Sequence, residues 1–170
     1  MTDLVIRPAT PADAGALEAL ISEHRTEGHL LPRTLADLER HACRFVVCDV
    51  AGEIKACAEL APLSDRVAEV RSLVVSRGFR RVGLAARLVD ELRKRARTEG
   101  FSTLCAFTHD ARFFVRQSFS IVPHSWVGEK ITTDCLACSL FRRCGQYAMV
   151  LPLHEIARYG ANVPARVAVA

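Results

Sequence analysis

The sequence predicts an α/β domain of the mixed α+β kind: a twisted, mostly antiparallel sheet with a parallel pair at its centre and helices on its faces. Three observations carry this. Residues 44–50 (RFVVCDV) and 53–60 (EIKACAEL) are two β-type runs separated by Ala51-Gly52, the turn chemistry of a hairpin. Residues 68–76 extend the pair to a meander after a turn at Ser64-Asp65-Arg66. Residues 83–99 then read as an amphipathic helix and 101–108 (FSTLCAFT) as an apolar returning strand, so strand, helix and strand make a right-handed crossover between parallel neighbours.

The remaining elements follow in order. Residues 4–7 (LVIR) open as a strand. Thr10-Pro11-Ala12-Asp13 then supplies an N-cap, a first-turn proline and a capping-box acid, so a helix follows with Leu17, Leu20 and Ile21 on its apolar face and ends near Glu27-Gly28-His29. Leu30-Leu31-Pro32-Arg33 is a connector, and Thr34 caps a second, short helix through about His41. In the helix at 83–99, Leu84, Ala85, Leu88, Val89, Leu92 and Ala96 form one stripe, and Gly100 closes it. Asp110 caps a short helix at 111–117, while Ile121-Val122 and residues 146–153 read as two more strands. One domain is expected over residues 1–155, with a tail at 156–170.

Composition narrows the function classes. With 170 residues and 50% apolar content, the chain supplies one sizeable core. The net charge of +4 is mild, and the basic residues gather at 77–87 and 93–97, which suits a small anion as well as nucleic acid. An aromatic content of 6% offers few stacking platforms and argues against a nucleic-acid module. No apolar run is long enough for a bilayer and the start, MTDLVIRPAT, lacks the build of a signal peptide, so a cytoplasmic protein with no membrane partner is expected. Seven cysteines, an odd number, read as thiols or ligands and not as a disulfide framework. Cys43, Cys48, Cys57 and Cys105 sit among apolar residues and are expected to be inert core side chains.

The segment from Glu69 to Ala86 organises the chain. A helix opening on Gly83 after a strand presents unpaired backbone N–H groups, and Arg77, Arg80 and Arg81 stand beside it, an arrangement suited to phosphate. Arg80-Arg81-Val82-Gly83-Leu84-Ala85 fits the pattern R/Q-x-x-G-x-G/A. With the meander before it, the helix after it, and Phe113-Phe114-Val115-Arg116-Gln117-Ser118-Phe119 further on, the chain resembles the GNAT superfamily of acetyl-CoA-dependent N-acetyltransferases. Further phrases are similar to the short, single-domain amino-acid N-acetyltransferases of the N-acetylglutamate synthase type. They are Leu30-Leu31-Pro32-Arg33, residues 68–75 (AEVRSLVV), Glu129-Lys130-Ile131 leading to Asp134-Cys135-x2-Cys138-x5-Cys144, and Ala148-Met149-Val150. The match runs over roughly residues 4–155. Arg81 stands where many relatives have glycine, and Ser118 replaces the usual glycine before Phe119.

The resemblance implies the GNAT fold and acetyl-CoA as cosubstrate. Its pyrophosphate would rest on the loop of Arg80, Arg81, Val82, Gly83, Leu84, Ala85 and Ala86, with Gly83 and Ala85 small enough to let it approach. The main-chain groups of Leu73 and Val75 would pair with the pantetheine arm and the thioester carbonyl. Glu69, expected on the same strand face as Arg71, Leu73 and Val75, is the candidate catalytic base, as matching glutamates are in some members. The alternative is a structural Glu69–Arg71 pair, because a neighbouring arginine weakens a carboxylate as a base. The position of the usual general-acid tyrosine resembles Phe114, so that role is unassigned, and His109 is either a site residue or a solvated loop residue.

For a glutamate substrate, Arg71 and Arg33 are the candidate carboxylate partners, with Lys130 a third; ordinary surface charge is the competing reading for Arg33 and Lys130. Cys135, Cys138 and Cys144 supply three of the four ligands of a structural zinc site, and no fourth is evident, so thiols and no metal are expected. The expected reaction is acetyl transfer to the α-amino group of L-glutamate, the first step of arginine biosynthesis, with a small-molecule partner, no nucleic acid, and a homodimer compatible with the type. Alternatives are another amine, such as glutamine, an antibiotic or a protein terminus, and a non-catalytic acyl-CoA sensor.

Overall fold

Ala51 and Gly52 both take left-handed backbone angles, φ 54° and 86°, as a two-residue hairpin turn requires, and the chain reverses there. The computed structural model describes residues 4–28 and 30–154. The tail expected at 156–170 lies outside them. Among the described residues seven strands form one sheet: β1 (Leu4–Pro8), β2 (Phe45–Val50), β3 (Glu53–Pro62), β4 (Val67–Val75), β5 (Thr103–Thr108), β6 (Ser120–Val122) and β7 (Tyr147–Pro152). Their order is β1-β2-β3-β4-β5-β7-β6. Every neighbouring pair is antiparallel except β4 and β5, which are parallel.

Helices cover both faces. On one side lie α1 (Ala14–Gly28) and α2 (Leu35–His41), whose Leu17, Leu20, Ile21 and Leu38 pack on Phe45, Val47, Cys57 and Val74. α1 is led in by a tight turn at Pro11–Asp13, where the Thr10 N–H donates to the Asp13 carboxylate at 2.7 Å. Arg7 donates to the same carboxylate and holds its pKa well below the usual carboxylate range. Thr34 caps α2 by accepting from the Asp37 N–H at 3.2 Å.

On the other face are α3 (Leu84–Thr98) and α4 (Ala111–Arg116). Leu84, Leu88, Val89, Leu92 and Ala96 of α3 are buried against Val46, Ala56, Leu60, Val70 and Leu104, so the stripe legible in the sequence is the face that docks. Each large side chain buried this way contributes roughly 1.5–3 kcal/mol relative to exposure.

β4 departs from regular alternation. Cys57 pairs with Val74 and Glu59 with Arg71, so Ser72 and Leu73 stand opposite Ala58 alone, and Ser72 takes φ 48°. This is a β-bulge, and the extra residue resets which side chains point where. Ala68, Val70, Leu73 and Val75 pack with the core under α3, whereas Val67 and Val74 belong to the clusters on the opposite face. The expectation that Glu69 and Arg71 share a face with Leu73 and Val75 is therefore corrected: the bulge separates the two pairs.

A second correction concerns cysteine. Cys48, Cys57 and Cys105 are buried, but Cys43 is exposed, because it falls on the tight turn Ala42–Arg44 ahead of β2.

Two helix ends share one geometry. After α3, the Phe101 N–H reaches back to the Ala96 carbonyl at 3.0 Å while Gly100 takes φ 88°. After α4, the Phe119 N–H reaches the Phe114 carbonyl at 3.0 Å, the two rings meet edge to face, and Ser118 takes φ 69°. A serine held left-handed carries steric strain that glycine lacks. Ser118→Gly is accordingly expected to raise stability by about 0.5–1 kcal/mol, read as a shift in the urea midpoint at constant slope.

Candidate active site

The parallel pairing of β4 with β5 lasts only from Val67–Glu69 against Thr103–Cys105. Beyond it β4 continues to Val75 paired with β3, and β5 continues to Thr108 paired with β7. The two strands part, and the main chain of residues 70–75 has no strand partner on the side where β5 stood. Leu73 and Val75 lie on this open edge. Their side chains face the α3 core while their peptide groups lie in the plane of the gap. The Val75 carbonyl accepts from Arg80 Nε at 3.0 Å.

The loop between β4 and α3 leads to a helix start without a side-chain cap. Gly83 is the N-cap in a left-handed conformation, φ 84°, and nothing lies within 4 Å of where its side chain would project. Arg80, Arg81, Val82 and Gly83 are exposed, Ala85 and Ala86 are half-buried, and Leu84 anchors the first turn in the core. Arg81 also takes a left-handed φ of 66°, the conformation that glycine adopts most readily. The substitution seen in the sequence therefore falls on a backbone turn and leaves it in place. Backbone donors at a helix N-terminus, with Arg77, Arg80 and Arg81 on the loop that leads to it, make a surface suited to a phosphate group.

On the opposite face of the sheet, four charged side chains converge. Glu69 is only 3% exposed, and Lys130 is 9% exposed. Glu69 Oε2 accepts from Arg71 Nε and from Lys130 Nζ, the latter at 2.9 Å. Asp134 Oδ2 accepts from the same two cations, from Lys130 at 2.8 Å. Lys130 also lies 5.3 Å from the centre of the Phe107 ring. Burial works against the charge on Arg71, and Glu69 and Asp134 overcome it and raise its pKa.

Lys130 and Asp134 reach this place from a helical turn at Gly128–Lys130 that runs on as a π-type turn over Ile131–Cys135, which puts them one turn apart on one side.

Arg33 lies beside this group with its own partners. Its guanidinium donates to Glu59 at 2.7 Å and to Asp37 at 3.0 Å, and it stacks over Phe45 at 5.7 Å. Glu59, 1% exposed, is the cross-strand neighbour of Arg71, so the two networks touch through β3 and β4.

Glu59 and Asp134 were not singled out from sequence. Glu59 had a usable signal, since a carboxylate inside the apolar run ACAELA must find a cation when buried; Asp134 had none beyond its place in a motif. His109 is exposed at the end of β5 and lines an open hollow with Asp110, Ala111, Arg112, Ile121 and Tyr147. Phe114 is buried in the core and offers no proton. Among the described residues, no group of three His, Cys, Asp or Glu side chains is arranged to hold a metal ion, and no helix is long and apolar enough to cross a membrane.

Comparison with known proteins fits this geometry. The model of the acetyltransferase (GNAT) family matches residues 15–119. An uncharacterised N-acetyltransferase of Chlorobaculum tepidum is 30% identical over 151 residues, covering 89% of this chain and 97% of its own length. The amino-acid acetyltransferase of Pseudomonas putida is 37% identical over 118 residues, 68% of this chain but 27% of that protein, so the chain spans about a quarter of the length of that relative. Among solved structures, N-acetylglutamate synthase from Neisseria gonorrhoeae, complexed with coenzyme A and N-acetyl-glutamate, superposes with a TM-score of 0.80. It is 25% identical over 91% of this chain and 36% of that one. Ard1 from Thermoplasma volcanium, at 21% identity and a TM-score of 0.67, shares the fold. With a family model spanning more than half of its length, this chain belongs to the GNAT family of acetyltransferases.

Proposed function

We propose that this chain transfers the acetyl group of acetyl-CoA to the α-amino group of an amino acid, with L-glutamate as the acceptor and N-acetylglutamate as the product, the first step of arginine biosynthesis. The reading rests on one observation above the others. The gap between β4 and β5 lies between a helix start without a side-chain cap on one face of the sheet and a buried cluster of paired charges on the other. The names of the amino-acid acetyltransferase of Pseudomonas putida and of the N-acetylglutamate synthase from Neisseria gonorrhoeae support it.

Each half of the site then has a task. The backbone N–H groups from Arg81 to Ala86, with Arg80 and Arg81 beside them, receive the pyrophosphate of acetyl-CoA. The peptide groups of Leu73 and Val75 hold the arm that runs along the open edge of β4. Acetyl-CoA supplies a thioester whose carbonyl carbon the amine attacks.

The acceptor approaches from the other face, where Arg71 and Lys130 hold its carboxylates. That these two cations can converge on one carboxylate is visible in their bonds to Asp134. Arg33, engaged with Glu59 and Asp37, supports the acceptor site by fixing the neighbour of Arg71.

Glu69 lies where the gap begins and is assigned the proton from the acceptor's ammonium group, directly or through water. A second reading has its own observation, the two cations on Glu69 Oε2: Glu69 then positions Arg71 and Lys130 and takes no proton.

Release of free thiol from acetyl-CoA, followed with a panel of amino acids, tests the whole reading. Glutamate is expected to give the highest kcat/KM, and a better neutral amino acid would overturn the acceptor assignment. Arg71→Leu should raise the KM for the amino acid by at least about tenfold, the cost of one lost charge-assisted contact, with little change in the KM for acetyl-CoA. Equal effects on both constants would make Arg71 structural. Glu69→Gln should lose turnover at neutral pH and recover at alkaline pH, where the amine is already unprotonated; an unchanged pH–rate profile would leave Glu69 only the positioning role.

A further inference from the structure

The seven cysteines occupy different surroundings. Burial pushes up the thiol pKa of Cys48, Cys57 and Cys105, Cys57 to about 12, so these side chains carry little thiolate at neutral pH. Cys138 and Cys144 are exposed, while Cys135 is half-buried and burial raises its thiol pKa as well.

These three fall within ten residues that the backbone folds into successive turns. The Cys138 N–H donates to the Cys135 carbonyl at 3.0 Å, the Phe141 N–H to the Cys138 carbonyl at 3.1 Å, and the Arg143 N–H to the Leu140 carbonyl at 2.8 Å. A turn of this kind holds its first and fourth Cα atoms within about 7 Å, close to the roughly 4.4–6.8 Å that a disulfide spans. Cys144 lies beyond the next turn, at Phe141–Arg143, with its Sγ 3.8 Å from Gln146 Oε1. The sulfurs are not arranged to hold a metal ion. What the segment offers is one sheltered thiol, Cys135, a single turn away from an accessible one, Cys138.

We propose that Cys135 and Cys138 form a reversible dithiol–disulfide site, in which a hydroperoxide oxidises the exposed Cys138 and Cys135 closes the disulfide. The Cys138 thiol gives up its proton, its sulfur attacks one oxygen of the peroxide, the O–O bond breaks, the sulfur becomes a sulfenic acid, and the departing hydroxide or alkoxide takes that proton to leave as water or an alcohol. The Cys135 sulfur then attacks the sulfenic sulfur, the S–O bond breaks, and the departing hydroxide takes the Cys135 proton to leave as water. Two thiols thus lose two protons and two electrons to one peroxide. In a reducing compartment such a bond is transient and is reversed by a dithiol, the behaviour of redox-sensing pairs.

The position of the site adds weight to the inference. Asp134 immediately precedes Cys135 in the π-type turn, and its carboxylate is bonded to Arg71 and Lys130. The disulfide therefore forms one residue away from the buried charge cluster.

The test treats the full chain with one equivalent of hydrogen peroxide, alkylates the remaining thiols, and reads intact mass and cross-linked peptides. The expected product is a chain two hydrogen atoms lighter, linked from Cys135 to Cys138, and restored by dithiothreitol. Cys144→Ser should keep that linkage, whereas Cys135→Ser and Cys138→Ser should each lose it while melting within a few degrees of the parent chain. A linkage through Cys144, a disulfide between two chains, or overoxidation of the exposed thiols without cross-linking would overturn the proposal. Mapping the unsubstituted chain decides the matter even where a variant folds poorly.

Discussion

A single extra residue in β4 governs the rest of the structure. With Ser72 held at φ 48° opposite Ala58, the strand bends and its side chains change faces within two positions. On one side of that bend Glu69 and Arg71 point toward the charge cluster; past it Leu73 and Val75 point toward α3. The same strand loses its pairing with β5 after Glu69, shortly before the bulge at Ser72. A regular strand would have placed all four side chains on one surface.

The charge cluster beside this opening is costly to build. Taking Glu69 and Lys130 out of water carries a penalty of several kcal/mol per ion, which mutual attraction offsets only when geometry is good and further partners are present. Here each carboxylate has two cations and each cation two carboxylates, so the four formal charges cancel within one turn of chain and one strand. Apolar residues of the same volume would hold these elements together at least as well. What they would not do is keep two cationic donors aimed at a common point, as Arg71 and Lys130 are at Asp134.

The elements legible in sequence are those decided by neighbours in the chain. Ala51-Gly52, the Thr10 and Thr34 caps, the stripe of α3 and the Gly100 stop all act within a few residues, and all are found. The turn leading into α3 was legible for the same reason, and even the departures at Arg81 and Ser118 fall on left-handed positions that glycine would favour. The bulge at Ser72 had no local signal: AEVRSLVV reads as an uninterrupted strand, and the register shift appears only when β3 is laid beside it. Cys43 sits between apolar neighbours yet belongs to a turn, where neighbours do not decide burial. Lys130 and Asp134 meet Glu69 and Arg71 across some sixty positions, a closeness created by folding alone.

The short parallel ladder is also a seam. Three paired residues join β1–β4 to β5–β7 through the backbone, while the apolar layer beneath α3 fastens both sides from below, with Leu60 and Val70 from one and Leu104 and Met149 from the other. Past Glu69, residues 70–75 keep their pairing with β3 but have none with β5, so the sheet is held there from one side only. Any molecule lodged between the two strands would act as a staple across that seam, coupling occupancy to the resistance of the whole domain to heat.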